Sequence, residues 1–342
     1  MRFGRRLTAA ALGGALALVL VVSAAAQEPF YKGKQIRLII SAGVAGGYAT
    51  YARLLVQHMP NHLPGKPDML FQSMPGAGGL LATNHLYSQA PQDGTVIGLI
   101  HSTVPLGPLL GMAGARFDPL KLNWLGSMDR SDGPCTAWHT APIKTWQDML
   151  DKEFIVGSSG IGSQMEVYPA AMNRLFGTKV KVIGGYKDGA LIFQAMERGE
   201  VHGRCGPQLT SIGALRPHWL TEKKIRVPVV VSEHRSPMFP EAPTLIELAK
   251  DEATRQQIRL LIVSQDLDRP VLAPPGVPAE RVKMLRDAFI ATMKDPAFLA
   301  DIKKFRLTLD WVSGEQVHKT LAAAYSSPPD VVRAARELMA GK

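Results

Sequence analysis

The chain has 342 residues, of which 46% are hydrophobic and 20% charged, and its formal net charge is +10 at pH 7. This balance excludes a disordered chain, and two cysteines are too few for a disulfide scaffold. A single apolar segment excludes a polytopic membrane protein. The Lys and Arg residues are scattered rather than gathered in a stripe, so we expect no nucleic acid partner.

The first predicted element is a secretory signal peptide over residues 1–26. Arg2, Arg5 and Arg6 form a basic start, an uncharged run follows, and Ala24-Ala25-Ala26 is a small-residue cleavage pattern. The alternative is an uncleaved membrane anchor, but glycines and a serine interrupt a run that is barely long enough to span a bilayer. We therefore expect a periplasmic protein. Its basic charge suits anionic small molecules and, equally, an anionic membrane surface.

Strand-like and helix-like runs then alternate, and this order predicts parallel strands joined by crossover helices. The mature chain exceeds the ~250–300 residues at which one core usually stops growing, so we predict two domains. The predicted strands are Gln35–Ser41, Asp68–Met74, Thr95–His101, Cys135–His139, Phe154–Ser158, Val180–Gly184, Val201–Cys205 and Ile225–Ser232, the last at a sheet edge because it contains Pro228. The predicted helices are Thr50–Met59, a helix ending near Gln89, one that Gly160–Ser163 opens and that runs to about Phe176, where Gly177 closes it, Asp188–Arg198, Pro278–Met293, Pro296–Phe305, Gly314–Tyr325 and Asp330–Met339.

Three glycine-rich turns each lie between a predicted strand and a predicted helix. They are Gly43–Gly47 followed by Tyr48, Pro75–Gly79, and Ser158–Ser163. Free N–H groups at a helix start suit a carboxylate or phosphate, and ligands of open α/β sheets bind at the carboxyl ends of strands. The alternative is that the glycines only make tight turns and allow close packing. Three such turns together favour binding.

Sequence motifs for catalysis are missing. Pro75–Leu80 lacks the third glycine of the dinucleotide motif, there is no P-loop, and Gly157–Gly160 fails the spacing of a nucleophile elbow. No HExxH motif occurs, and no His pair has ligand spacing near a Cys or an acidic partner. We therefore expect no enzyme activity, no cofactor and no metal. A secreted hydrolase would need a nucleophile–base pair or a metal set.

Three polar residues leave alternatives open. His101, at a strand end, is either an ordinary polar terminus or a hydrogen-bond partner of an anion. Lys187 either pairs with an anionic ligand or is solvated. Arg204 is either a bidentate clamp for a carboxylate or an outward-facing charge on its strand.

A set of motifs in fixed order covers essentially the whole mature chain. They are Lys34–Ile40, Gly46-Gly47 with Ala52–Leu55, Pro75–Ala82 (PGAGGLLA), Ala90–Thr95, Gly160–Ser163, Tyr186–Gly189, Arg198–Val201, Ala273–Pro278 and Lys294–Pro296. This ordered set resembles the extracytoplasmic solute-binding receptors of the tripartite tricarboxylate transporter family, the Bug receptors.

The resemblance implies an α/β fold of two domains, each a mainly parallel sheet flanked by helices, with a ligand cleft between them. Domain 1 would comprise residues 28–130 and 235–342, and domain 2 residues 131–234. Such a receptor, a monomer, captures a small organic carboxylate and delivers it to a large and a small integral membrane subunit. The ligand-binding residues carried over are Ala45, Gly46, Gly47, Tyr48, Gly76, Ala77, Gly78, Ser102, Thr103, Gly162 and Ser163. Two further candidates are Tyr186, at a strand end before a helix, and Arg204, as the possible carboxylate clamp.

One position departs from the family pattern. Ala49 stands where the family often has an Asp, two residues after the glycine pair. This change removes a negative charge from the cleft and disfavours ligands with an amino group. Because Tyr48 offers a ring for stacking, we expect an aromatic or dicarboxylic acid.

Cys135 and Cys205 both fall in the predicted domain 2 and would meet an oxidising compartment after export. A disulfide is therefore expected, with two separate buried thiols as the alternative.

A sensory receptor that binds the same solutes is the main alternative to a transport receptor.

Overall fold

The computed structural model describes residues 28–161, 163–206 and 209–339, and its strands form two sheets. The predicted signal peptide and Gly162 lie outside the described residues. The strands are β1 (Gln35–Ile40), β2 (Asp68–Ser73), β3 (Val96–Leu99), β4 (Asn123–Asp129), β5 (Gly133–Trp138), β6 (Phe154–Gly157), β7 (Val180–Ile183), β8 (Gly203–Cys205), β9 (Ile225–Val231), β10 (Asp268–Ala273) and β11 (Val312–Ser313).

The α-helices are α1 (Gly47–His58), α2 (Leu80–Ser88), α3 (Trp146–Asp151), α4 (Gln164–Phe176), α5 (Gly189–Glu197), α6 (Leu209–Leu215), α7 (His218–Thr221), α8 (Leu245–Leu248), α9 (Glu252–Ile262), α10 (Ala279–Lys294), α11 (Pro296–Lys304), α12 (Gly314–Tyr325) and α13 (Pro329–Met339). Across the described ranges, none of these helices has the length and apolar character needed to cross a membrane.

The first sheet has the strand order β11-β4-β10-β3-β1-β2, and the second has the order β7-β6-β8-β5-β9. Helices flank both sheets, which confirms the predicted two-sheet α/β fold. In the first sheet β1 is parallel to β2 and β3, whereas β10 is antiparallel to β3 and β4. In the second sheet β6 is parallel to β7 and β8, whereas β5 is antiparallel to β8 and β9.

Each sheet is thus mixed rather than mainly parallel, and the chain path explains why. The chain leaves the first sheet through β4, enters the second through β5, leaves it through β9 and returns through β10. The departing and returning strands are neighbours in each sheet, so they run in opposite directions. The edge position predicted for the strand with Pro228 is confirmed, because β9 closes the second sheet.

Side chains at the helix ends explain where α4 and α5 stop and start. Gly177 has a φ of +72° and ends α4 in the left-handed conformation that glycine adopts easily. The Asp188 carboxylate accepts the N–H groups of Ala190 at 2.9 Å and Leu191 at 3.1 Å, which makes it the N-cap of α5. This cap fixes the place of Asp188 beside the site described below.

The two chain crossings between the sheets are joined by hydrogen bonds. The Ser131 N–H donates to the Gln265 carbonyl at 3.2 Å, and the Gln265 side-chain amide donates to the Val231 carbonyl. Ser131 Oγ donates to Asp268 Oδ2 at 2.6 Å. The segments that pass between the sheets are therefore connected to the first residue of β10.

The strands of the first sheet lie before residue 130 and after residue 267, and those of the second lie between residues 133 and 231. Helices α9 and α13 come from the C-terminal segment, yet both pack against α4. The domain boundaries at 130/131 and 234/235 accordingly stay a prediction.

In the second sheet Cys135 on β5 is opposite Cys205 on β8, and their sulfur atoms are 2.11 Å apart in a disulfide.

Candidate functional site

A cavity lies between the sheets, beyond the carboxyl ends of β1 and β3 and at the starts of α1, α4 and α5. Its volume is about 30 Å³, which is room for one or two water molecules. It is lined by Ala42, Gly46, Gly47, Tyr48, His101, Ser159, Ser163, Gln164, Met165, Asp188, Gly189, Arg204, Ser211 and Arg269. A molecule the size of a small organic acid does not fit in this volume.

Main-chain hydrogen bonds hold the two walls of the cavity together. The Gly43 N–H donates to the Lys187 carbonyl at 2.8 Å, and the Gly78 N–H donates to the Ser159 carbonyl at 3.2 Å. Gly43 and Gly78 belong to the first two glycine-rich turns, and Lys187 and Ser159 to the opposite wall. Two of the turns predicted to hold a ligand thus contact the second half of the molecule.

Strand β10 contributes a buried cation. Arg269 is 3% exposed, and its φ of +69° is uncommon for a residue other than glycine. Its Nη1 donates to the Asp268 carboxylate, and its guanidinium carbon lies 4.2 Å from the centroid of the Tyr48 ring. Burial alone would lower the pKa of Arg269, but the charge of Asp268 raises it overall. Among the described residues, its Nε has no hydrogen-bond partner.

Strand β8 contributes a second buried cation from the opposite wall. Arg204 is 7% exposed, and its Nε donates to Met165 Sδ at 3.2 Å. Burial, followed by the like charge of Arg269, lowers the pKa of Arg204 to about 10. A Cβ on Gly189 would lie 2.5 Å from Arg204 Nη1, so the glycine makes room for the guanidinium. Arg204 is protonated at neutral pH and lines the cavity rather than the outer surface.

Asp188 brings a carboxylate to the same cavity. It is 5% exposed, and its Oδ2 accepts the Ala45 N–H at 3.4 Å. A Cβ on Gly43 would lie 2.4 Å from this oxygen, so the first glycine-rich turn admits Asp188 because position 43 is glycine. The sequence argument from Ala49 expected a cleft without that negative charge. The second wall supplies a carboxylate instead, which removes the basis for excluding ligands with an amino group.

His101 and Tyr48 pack together beside the two arginines. Burial lowers the pKa of His101 to about 4, partly opposed by its hydrogen bond with Gly78, so its imidazole is neutral at pH 7. His101 Nδ1 lies 2.6 Å from the Gly78 carbonyl oxygen and therefore carries the proton. Burial raises the pKa of Tyr48 to about 12, and Arg269 already stacks on the ring of Tyr48. His101 thus adds no charge to the cavity.

The predicted ligand residues fall into three groups. Gly46, Gly47, Tyr48, Ser163 and Arg204 line the cavity. Ala45, Gly78 and Ser102 join the two walls, and Ser102 Oγ accepts a hydrogen bond from Gln164 at 2.8 Å. Gly76, Ala77, Thr103 and Tyr186 are not among the lining residues, and Gly162 lies outside the described part of the chain.

Sequence reasoning missed Arg269 as a lining residue, and it did not select Asp188. Arg269 lies between an aspartate and a proline in a strand that the hydrophobic pattern did not predict. Asp188 offered a usable signal, because an aspartate that begins a predicted helix is a typical N-cap. The tertiary neighbours Gln164, Met165 and Ser211 carried no such signal, whereas Ser159 lies in the predicted turn Ser158–Ser163.

The chain is similar to known proteins in both sequence and fold. The sequence model described as tripartite tricarboxylate transporter family receptor matches residues 52–327. The UPF0065 protein in gbd 5'region of Cupriavidus necator is 26% identical over 322 residues, which are 92% of this chain and 90% of that protein. The periplasmic binding protein BugD superposes with a TM-score of 0.71 at 18% identity, covering 90% of this chain and 98% of BugD. MatC from Rhodopseudomonas palustris with bound malate gives 0.66 at 18% identity, covering 87% and 99%.

Proposed function

The chain belongs to the tripartite tricarboxylate transporter receptor family, and from this premise we propose that it captures a small organic carboxylate in the periplasm. In this proposal residues 1–26 direct export, and residues 28–130 with 235–342 close against residues 131–234 around the ligand. The loaded receptor then delivers its ligand to a large and a small integral membrane subunit without chemical change.

One observation carries the proposal: Arg204 and Arg269 come from different sheets and line the same small cavity. Two buried cations on facing walls repel each other when the walls approach. A carboxylate between them offsets that repulsion, and a guanidinium can offer it two parallel N–H donors. Binding of an anion therefore favours closure of the cleft.

A dicarboxylic acid fits these walls better than an aromatic acid. Arg269 already stacks on Tyr48, so this ring is not a bare platform for a second aromatic group. Arg204 and the N–H groups of the first glycine-rich turn, on opposite walls, offer places for two carboxylates of one ligand. The bound malate of MatC, a structural relative, is a dicarboxylate and supports the same choice.

The first test is a thermal-shift screen of residues 27–342 against mono-, di- and tricarboxylates, aromatic acids and amino acids. A ligand at 100 times its Kd adds about 2.7 kcal/mol to the free energy of unfolding, which raises Tm by several degrees, roughly. We expect the largest shift with a dicarboxylate and no turnover of the bound acid. A panel in which no carboxylate raises Tm, or in which only sugars do, would contradict the proposal.

The role of the cavity cation is tested with Arg204→Gln. We expect the Kd for malate or adipate, measured by isothermal titration calorimetry, to rise at least about tenfold, because a charged hydrogen bond to the carboxylate is lost. Arg198→Gln is the matched control, since Arg198 is exposed and pairs with Glu200 on the surface. Equal loss of affinity in both variants would point to general surface charge rather than to this cavity.

A further inference from the structure

The first glycine-rich turn already holds a carboxylate, and it belongs to the protein. Asp188 Oδ2 accepts the Ala45 N–H of the opposite wall, while Asp188 Oδ1 caps α5 by accepting the N–H groups of Ala190 and Leu191. The neighbouring Lys187 carbonyl accepts the Gly43 N–H at 2.8 Å. The turn that sequence reasoning assigned to a ligand anion is thus in contact with a built-in anion from the second wall.

The glycines of this turn fit Asp188 closely. A Cβ on Gly43 would lie 2.4 Å from Asp188 Oδ2, and a Cβ on Gly46 would lie 3.1 Å from Asp188 Cβ. Both positions are therefore small because a side chain from the opposite wall approaches them, and a ligand is not needed to explain them. Turn and carboxylate are matched to each other.

We propose that Asp188 is an internal competitor of the ligand, whose carboxylate opposes the binding of an anionic solute at the first glycine-rich turn. This inference rests on the proposed function, because it names the residue that limits affinity at the same site. When the walls separate, Asp188 leaves Ala45 together with the second wall. A ligand carboxylate then binds the turn, and renewed closure brings Asp188 back toward it.

The charged residues around Asp188 determine how it affects the binding of an anionic ligand. Arg204 lies on the same wall, and the charge of Asp188 helps to keep this guanidinium protonated. Arg269, on the other wall, is paired with Asp268. The arginines attract the ligand while Asp188 repels it, so Asp188 weakens retention and eases release.

The test uses two substitutions that preserve the helix cap. Asp188→Asn and Asp188→Ser both keep a side-chain oxygen for the N–H groups of α5, and both remove the negative charge. We expect each variant to lower the Kd for malate or adipate about tenfold, since one repulsive charge at several ångströms disappears. Asp251→Ser is the matched control, because Asp251 caps α9 through the Thr254 N–H and does not line the cavity.

A second readout needs no ligand. With its contact to Ala45 lost, Asp188→Ser without solute should show a larger radius of gyration by small-angle X-ray scattering than wild type and Asp251→Ser. An unchanged radius, or an unchanged or higher Kd in Asp188→Ser, overturns the inference while the proposed function stands. If wild type binds no acid, the proposed function fails, and the radius alone decides whether Asp188 holds the walls together.

Discussion

The two arginines of the cavity have the same charge and nearly the same burial, yet their surroundings differ. Arg269 is paired with the adjacent Asp268 and stacks on two tyrosines, Tyr48 and Tyr51, and its pKa is raised. Arg204 donates through Nε to a sulfur atom, and its pKa is lowered to about 10.

The difference separates the two contributions that a buried cation can make. Arg269 is part of the framework, because its charge is balanced within the protein. Arg204 has a charge that burial and Arg269 both disfavour, so an incoming anion gains most there. We infer that stability depends on the first arginine and ligand affinity on the second, and three substitutions test this division.

The largest expected effect is that of Asp268→Asn. It removes the counter-charge of Arg269 and leaves a buried guanidinium without a carboxylate, which should cost about 3–5 kcal/mol in the free energy of unfolding. Urea denaturation measures this loss. The control is Asp310→Asn, because Asp310 is 56% exposed and pairs with Arg130, and an exposed pair contributes about 1 kcal/mol or less. Similar losses in both variants would show that Arg269 is not held by its charge pair.

The next largest expected effect is a pH dependence of stability. It comes from Asp129, which lies in the same framework as Arg269. Its Oδ2 accepts hydrogen bonds from Tyr51 at 3.1 Å and from Thr308. Burial, followed by the charge of Asp268, raises the pKa of Asp129 to about 6. Between pH 4 and 6 the folded state therefore binds more protons than the unfolded state, so stability falls as the pH rises through this window.

Asp129→Asn should remove that dependence, about 2 kcal/mol in total. The measurement is the free energy of unfolding from pH 4 to 7 in both proteins, because subtraction removes contributions of other titrating groups. A difference that is flat with pH would mean that Asp129 is charged throughout.

The smallest expected effect on stability is that of Arg204→Met. Arg204→Met loses the attraction between Arg204 and Asp188, but it also ends the cost of burying a cation and the repulsion from Arg269. We expect a change within about 1 kcal/mol in urea denaturation, together with loss of carboxylate binding. A loss of stability as large as that of Asp268→Asn would erase the distinction between the two arginines.

Sequence patterns predicted the elements whose signals are local. Pro296 and Gly314 mark the starts of tail helices that the structure places at the same residues, and Gly177 ends α4 as expected. The motif order also indicated the family and the two sheets. Such features depend on neighbours along the chain, which a single sequence displays.

The missing parts depend on contacts between distant segments. Strand β10 carries Asp268, Arg269 and Pro270, a polar start that does not read as a buried strand, although every residue of β10 is buried. Its antiparallel direction follows from its place beside β4, which only the chain path reveals. Arg269 and Arg204 are 65 residues apart, so their common cavity could not be predicted from spacing.

Asp268 makes two contacts that belong to different parts of the molecule. One oxygen accepts Arg269, and the other accepts Ser131 at the crossing between the sheets. The two contacts are coupled, because a substitution that removes Arg269 leaves the crossing bonded to an acid without its counter-charge. A substitution at Arg269 therefore also changes the segment that connects the two sheets.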